Sequence, residues 1–546
     1  MKRKAVAAVL TAVMVASMFT GCGSDNGSSS AKSASAASAA SAANDTVDED
    51  GKVNGIMYQE GLPLVDEGDY TFSIFCDDSS ESGEFIMLDE FKKQTNVDVD
   101  LKIYPYETAT ERLNLDLNSG DYADVIGGWT LSDNAILTYG VNQGVFIPLE
   151  DYFEKYCPNI SAILDLPGVR EKMTAPDGHI YTIPYVCTDT TVGYSPYINT
   201  KWLENVGMSM PTTTDEFEAV LKAFKEQDAN GNGDASDEIP FSTDPNNKHI
   251  EAMAGYFGLP MNKLGIAIQN EKVVYGGVSD TYREFLSWFH KLYAEGLVDV
   301  ELYTQDSSTW EGKGNQDLYG VSIAYGSNEF TGIPAAEERG DFDSMPVLNT
   351  DKDGIWLRDT EGFSVYRTQA VITNKAEHPE IICRWFDNAF ALENGIGCNR
   401  GPVGVIVNKE DDGYHAIDTT TLSEEDQEKY SWGNLWPQSL PKYLPVDFEF
   451  VEEHPMYDEK KATEEAYEAN LTKEIIPSYW IDLDKIDTFS DTNTAIKDFF
   501  EQQQAQFVCG ELDIDNDADW HAYVDGMYSL GLEDWVATQG IEEIAK

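Results

Sequence analysis

Basic residues are scarce in this chain: 37 Lys and Arg stand against 97 Asp and Glu, a formal charge of −60. A field of that sign repels phosphate backbones and anionic headgroups, which excludes nucleic-acid binding and leaves no electrostatic route onto a membrane. Histidine is sparse, with seven scattered residues. His290, inside an amphipathic stretch, reads as packed or solvated rather than catalytic. There is no GxSxG elbow, no HExxH pair and no glycine-rich phosphate loop. The seven cysteines include no CxxC pair, so no zinc or thioredoxin-type site is encoded. Cysteines this dilute are not needed as a disulfide framework, and Cys76, Cys157, Cys187, Cys383, Cys398 and Cys509 are expected to be mostly unpaired. No apolar run reaches spanning length. Paired carboxylates for glycoside hydrolysis stay an open reading, because so many acids supply pairs everywhere.

What is present begins at the N-terminus. Lys2, Arg3 and Lys4 precede an uncharged apolar run from Ala5 to Phe19, and Thr20, Gly21 and Cys22 follow. The pattern reads as a signal peptide over residues 1–21. Its end resembles a bacterial lipobox, which implies that Cys22 takes a diacylglyceryl group and becomes the mature N-terminus. The competing reading is an ordinary secretory signal with a chance Cys. The next stretch is rich in Ser, Ala and Gly and lacks aromatics, so residues 22–60 are expected to form a flexible tether. The protein is then extracytoplasmic, held to the bacterial cell membrane through lipid alone.

The remainder suits two or three domains, and 42% hydrophobic and 12% aromatic content supply a core. Tyr70 to Phe75 and Val97 to Ile103 alternate as strands. A helical face of Phe85, Leu88 and Phe91 lies between them, after Gly83. Leu113 and Leu117 mark a second helix ending at Gly120, and Asp124 to Gly128 a third strand before Trp129. This alternation argues for an α/β fold with a largely parallel sheet. A second such region starts near Val192. In it Thr213 and Glu216 form a capping box ahead of Phe217, Val220, Leu221 and Phe224, and Phe285, Leu286, Phe289 and Leu292 form another apolar face.

Two features carry chemistry. The first is the loop Asp228-Ala229-Asn230-Gly231-Asn232-Gly233-Asp234-Ala235-Ser236-Asp237-Glu238. Short oxygen side chains at its first, third and fifth positions and Gly at the sixth match the opening of an EF-hand calcium loop. Ile239 stands where the closing Glu belongs, leaving Asp237 and Glu238 to complete the shell and Asp234 to offer its carbonyl. The predicted structural Ca2+ ligands are Asp228, Asn230, Asn232, Asp234, Asp237 and Glu238; the alternative is an Asn-Gly turn that binds nothing. The second feature is aromatic residues in loop contexts: Trp129, Tyr185, Tyr194, Trp310, Tyr325 and Trp432. Flat rings stack on sugar C–H faces while neighbouring polar groups bond hydroxyls. Each is alternatively a core residue, and Trp129 is favoured because ligands sit beyond the carboxyl ends of strands in open α/β sheets.

Several segments together resemble the extracellular solute-binding lipoproteins of ABC importers, in the large carbohydrate-binding group. They are Leu115 to Ile126, Gly144 to Asp151, Pro211 to Pro240, Leu292 to Asp299 and Phe507 to Leu512. Ala123 departs from the Pro usual in that group. The resemblance implies a periplasmic-binding-protein-like fold of two α/β lobes joined by hinge segments. The first lobe is expected at 61–187 with 347–387, the second at 188–346 with 388–546. Crossings are expected at Tyr181 to Tyr194, near Pro346 and near 385–395. Trp129 and Tyr194 would line the cleft, with Tyr325 and Trp432 on the second lobe. The implied function is non-enzymatic: a monomer captures an oligosaccharide and delivers it to ABC permease subunits. The alternatives are a membrane-tethered glycan hydrolase and a binding protein for a non-sugar solute such as a peptide.

Overall fold

The computed structural model describes residues 45–78, 84–245, 249–332, 341–417, 419–451 and 455–545. The first lobe is built around the strand Tyr70–Asp77. It runs parallel to Val97–Tyr104 on one side and Val125–Gly127 on the other, with Ala370–Ile372 antiparallel at the edge. Strand alternation divides two cores. Phe72, Ile74 and Cys76 pack with Phe91, Ile382, Trp385 and Trp436, while Phe75 packs with Leu113, Leu117, Ile136 and Val371. Val125–Gly127 and Ala370–Ile372 are apolar and buried throughout, as a sheet covered on both faces requires, whereas Val97–Tyr104 at the other edge alternates apolar with charged residues. The crossover helices Ile86–Thr95 and Tyr106–Ser119 end in left-handed caps at Asn96 and Gly120, as the Gly120 stop predicts.

The second lobe has the sheet order Phe342–Ser344, Ser195–Asn199, Tyr319–Ala324, Ile239–Thr243. Its helix Thr214–Glu226 starts where the capping box places it. The Thr213 hydroxyl accepts the Glu216 N–H at 3.2 Å, but the Glu216 carboxylate reaches back to the Thr212 N–H at 2.9 Å. Phe217, Val220, Leu221 and Phe224 are buried, as are Phe285, Leu286, Phe289 and Leu292 of Asp280–Ala294. The C-terminal helices Ile486–Cys509, Asp517–Ser529 and Leu532–Thr538 complete this core through Phe500, Phe507, Tyr523 and Trp535. All six cysteines among the described residues are unpaired. No described helix is long and apolar enough to cross a membrane.

The packing corrects the expected boundaries. Residues 45–60 are not tether: Val53 and Met57 are buried in the first lobe, Tyr156 donates to Asp45 at 2.8 Å, and Asn54 donates to Glu380 at 2.9 Å. Val347, Leu348 and Trp356 belong to the second core, whereas Ala389, Phe390, Cys398, Trp436 and Leu440 belong to the first. The crossings shift accordingly. The chain leaves the first lobe through Tyr185–Thr188, inside the expected first crossing, and returns through Phe363–Tyr366 rather than near Pro346. These two strands pair antiparallel into a ribbon. The third passage lies between Leu440 and the helix Pro455–Tyr467, because 385–395 is committed to the first core through Trp385 and Phe386.

Candidate functional site

The ribbon forms a floor between the lobes. Tyr185 lies directly opposite Tyr366, and Cys187 opposite Ser364, so these side chains share a face while Val186 enters the first core. The Tyr185 and Tyr366 rings stack with centroids 5.4 Å apart, and Trp129 stands edge-on to Tyr366 at 5.3 Å. Asp189 follows the strand. It accepts from the Ser364 hydroxyl at 2.5 Å, and from the Tyr366 and Tyr325 hydroxyls at 3.4 Å each.

The first-lobe wall grows from the carboxyl end of Tyr70–Asp77. Asp77 accepts the backbone N–H groups of Trp129 at 3.0 Å and Thr130 at 2.7 Å. A Cβ on the preceding Gly128, at φ +136°, would stand 2.3 Å from Asp77 Oδ1, so only glycine permits this clasp. Asp78 accepts the Gln438 N–H at 2.6 Å, and the Gln438 amide donates to the Trp432 carbonyl at 3.0 Å. Two consecutive carboxylates thus anchor the segments carrying Trp129 and Trp432, residues that stay 47% and 53% exposed. Trp432 lies on the first lobe, not the second. Its loop joins the strand end through Asp78, and Trp436 beside it enters the first core. Lys442 places its ammonium 5.1 Å from the Trp432 centroid, and burial lowers its pKa to about 8.

The second-lobe wall holds Tyr325, Tyr194 and Lys460. The Lys460 ammonium lies 3.9 Å from the Tyr325 centroid and donates to the Gly193 carbonyl at 2.6 Å; burial lowers its pKa to about 8. Tyr194 stacks on His249 with centroids 4.1 Å apart and meets the edge of Tyr325 at 6.0 Å. Burial lowers the His249 pKa to about 4, so this ring is neutral at physiological pH. Glu329 accepts the Tyr325 N–H at 2.8 Å and Asp359 the Gly193 N–H at 2.7 Å. Burial raises their pKa values to about 7 and about 6. Asp359 also borders a groove of about 650 Å3 between the lobes, with Ser132, Asp133 and Asn134 on one side and Asn262 and Asn493 on the other.

The structure brings Trp129, Tyr185, Tyr194 and Tyr325 together around the ribbon and sets Trp432 on the adjoining wall. Trp310 stands elsewhere. It is 3% exposed among Tyr197, Tyr319 and Phe330, and its indole N–H donates to Ser322 at 3.2 Å. Sequence reasoning missed Tyr366, Asp189, Gln438, Lys442 and Lys460. The carboxylates around the cleft accept backbone and hydroxyl hydrogens. That arrangement fixes loops and presents flat apolar faces beside hydrogen-bond acceptors, which suits holding a polyol with both C–H faces and hydroxyls.

The acidic loop lies away from the cleft, between the helix Thr214–Glu226 and the strand Ile239–Thr243. Asp228 accepts the Gly233 N–H at 3.0 Å, Asn230 that of Asn232 at 2.9 Å, and Asn232 that of Asp234 at 2.8 Å. Asp237 accepts from the Asn230 and Asn232 amides at 3.4 and 2.8 Å. Asp234 caps Ser236. Glu238 Oε1 accepts the Ala229 N–H at 2.9 Å, while its buried Oε2 has no partner among the described residues. Oxygen-only donors with one orphaned carboxylate oxygen fit a hard cation. A second group of ligand type, Glu410, Asp412 and His415, sits at a hairpin end, with His415 2.9 Å from Asp412. Cys22 lies outside the described residues.

The chain matches the family model of bacterial extracellular solute-binding proteins over residues 78–395. It is 31% identical over 411 residues to the fructooligosaccharide ABC transporter substrate-binding protein FusA of Streptococcus pneumoniae serotype 4, covering 73% of this chain and 70% of that one. It is 28% identical over 280 residues to lipoprotein LipO of Bacillus subtilis, covering 50% and 52% of the two chains. Its fold superposes with a TM-score of 0.75, at 27% identity, on a solved structure of an EF-hand mutant of S. pneumoniae FusA in complex with fructo-nystose, covering 86% of this chain and 98% of that one.

Proposed function

This chain belongs to the bacterial extracellular solute-binding proteins, and from that membership we propose that it captures an oligosaccharide between its lobes and presents it to an ABC permease. The observation that carries the reading is the aromatic floor. Tyr185 and Tyr366 are stacked on the ribbon that joins the lobes, Trp129 stands against them, and Tyr325 reaches the shared acceptor Asp189 from the other lobe. A sugar stacked there touches the hinge and both walls at once, so its binding free energy favours the closed form. No covalent step is required, and the chain is read as a transport protein rather than an enzyme. The relative named for fructooligosaccharides supports this reading over the peptide alternative. Calorimetry of the mature chain against a glycan panel tests it, with small-angle scattering of free and bound protein. Binding without degradation and a smaller radius of gyration are expected; glycan cleavage with no stable complex overturns the reading.

Three further parts belong to this proposal. Asp228, Asn230, Asn232, Asp237 and Glu238 would hold a structural Ca2+, with Asp234 contributing through its carbonyl. Cys22 would carry the lipid that keeps the protein at the cell surface, a reading supported by the likeness to a named lipoprotein. Cys22→Ala then releases the protein to the medium, and retention in the membrane fraction contradicts the anchor. The protein would act as a monomer, which light scattering checks.

A further inference from the structure

We infer that the cleft selects uncharged oligosaccharides and refuses uronate-bearing ones, an inference that rests on the oligosaccharide reading above. Around the aromatic floor stand Asp189 on the ribbon, Asp77 and Asp78 on the first-lobe wall, and Glu329, Asp359 and Glu459 on the second. Among the described residues, Lys442 and Lys460 are the cations packed on the cleft aromatics; Lys263, near His249, and Arg400, near Lys442, each have partners of their own. Lys442 and Lys460 are each about as buried as a core residue, at 4% and 3% exposed. Lys460 is committed to the Gly193 and Val192 carbonyls and the Tyr325 ring, and Lys442 to Gln438 and the Trp432 ring. Their charge offsets part of the local acidity from behind the aromatic surface.

Recognition of a ligand carboxylate calls for a guanidinium fork or a free ammonium. Arg358 and Arg367, which bracket the strand Phe363–Tyr366 in sequence, have other partners. Arg367 holds Asp133 through Nε at 2.8 Å and Nη2 at 2.6 Å, donates to the Ser478 and Tyr479 carbonyls, and stacks 4.2 Å over Trp480. Arg358 is held by the Thr472 carbonyl and Glu468. Lys497, on the groove wall, lies near Lys263 as well as Glu501 and Asp498, and its burial and the neighbouring ammonium lower its pKa. A uronate at this aromatic floor loses water, meets carboxylates and finds the lysines packed there, Lys442 and Lys460, already engaged, in a protein whose net charge already repels it. A neutral sugar meets none of these costs. Its hydroxyls donate to acceptors such as Asp189, and its C–H faces cover Trp129 and Trp432.

The test uses the mature chain bearing Cys22→Ala. Calorimetry compares neutral trisaccharides (kestose, maltotriose, cellotriose, mannotriose) with trigalacturonate and its uncharged methyl ester. A neutral trisaccharide is expected to bind at least about a hundredfold more tightly than trigalacturonate, with an affinity that moves less than about twofold between about 50 and about 500 mM NaCl. Trigalacturonate binding as tightly as the best neutral sugar, and weakening as salt rises, overturns the selection while leaving oligosaccharide capture standing. Failure of every saccharide to bind removes the oligosaccharide reading, and the selection with it.

Discussion

Lys460 stands over Tyr325, its ammonium 3.9 Å from the ring centroid, and ties a C-terminal helix to the cleft wall while giving up most of its water. The cost is measurable through pH. Burial lowers the Lys460 pKa from 10.5 to about 8, so between those values the unfolded chain holds a proton that the folded one has released, and this group's contribution to stability rises with pH. Lys460→Met lacks that contribution. The difference in unfolding free energy, wild type minus variant, is expected to climb by about 3 kcal/mol between pH 8 and pH 10.5. Urea titrations at three pH values measure it; a flat difference curve shows the lysine to be solvated.

Asp359 shows the opposite sign. Burial raises its pKa from 3.8 to about 6. The folded state therefore holds the extra proton in that window, and stability falls as pH rises through it. Asp359→Asn keeps a carbonyl acceptor for the Gly193 N–H and removes the charge. At pH 7 it is expected to stabilise the protein by about 1–3 kcal/mol, the lower end reflecting the loss of the through-space attraction between Asp359 and the Lys460 ammonium, and the gain is expected to vanish near pH 4. Thermal melts across pH check it; destabilisation at pH 7 contradicts it.

Tryptophans separate binding from packing. Trp129 and Trp432 are half-exposed, and truncating them leaves no cavity. Trp129→Ala is expected to weaken oligosaccharide affinity at least about tenfold, about 1.4 kcal/mol, with a melting temperature nearly unchanged. Trp310 fills an aromatic cluster and bonds Ser322. Trp310→Ala is expected to cost about 3–5 kcal/mol of stability, with affinity unchanged in the fraction that folds. Calorimetry and melting curves on both variants decide it, and exchanged outcomes refute the assignment of both residues.

The contrast between these tryptophans shows what local sequence conveys. Trp129 follows a strand end in a parallel sheet, a position that topology alone makes a ligand site. Trp310 has glycines nearby and reads as a loop residue. Those glycines sit on the helix Ser307–Asn315, and Gly314 is there because a Cβ would meet the Phe330 carbonyl at 1.9 Å. Helix faces such as Phe217–Phe224 and the parallel pairing in the first sheet were legible because one period governs each, whereas the second sheet pairs antiparallel at two of its three interfaces. The ribbon was not legible. Tyr185 and Tyr366 are paired across 181 positions by register, and nothing near Tyr366 signals it. Trp432 was placed on the wrong lobe for the same reason. The third passage comes after Leu440, where only three-dimensional packing reveals it.

The acidic loop gives the last test. Asp228, Asn230, Asn232 and Asp237 hold the loop through its own backbone and amide groups, and Glu238 Oε2 is left buried without a partner among the described residues. A cation accepting that oxygen would relieve its desolvation and bind only the folded chain. Stability then rises with free Ca2+, by about 2.7 kcal/mol at about a hundred times the dissociation constant. Chelation is expected to lower the melting temperature, Ca2+ to restore it, and Mg2+ to restore less, since it demands a tighter octahedral shell. Asp228→Ala is expected to abolish the response while sparing sugar binding, because the loop is remote from the ribbon. A chelator that shifts nothing, with no calcium found by elemental analysis, makes the loop a turn held by its own hydrogen bonds.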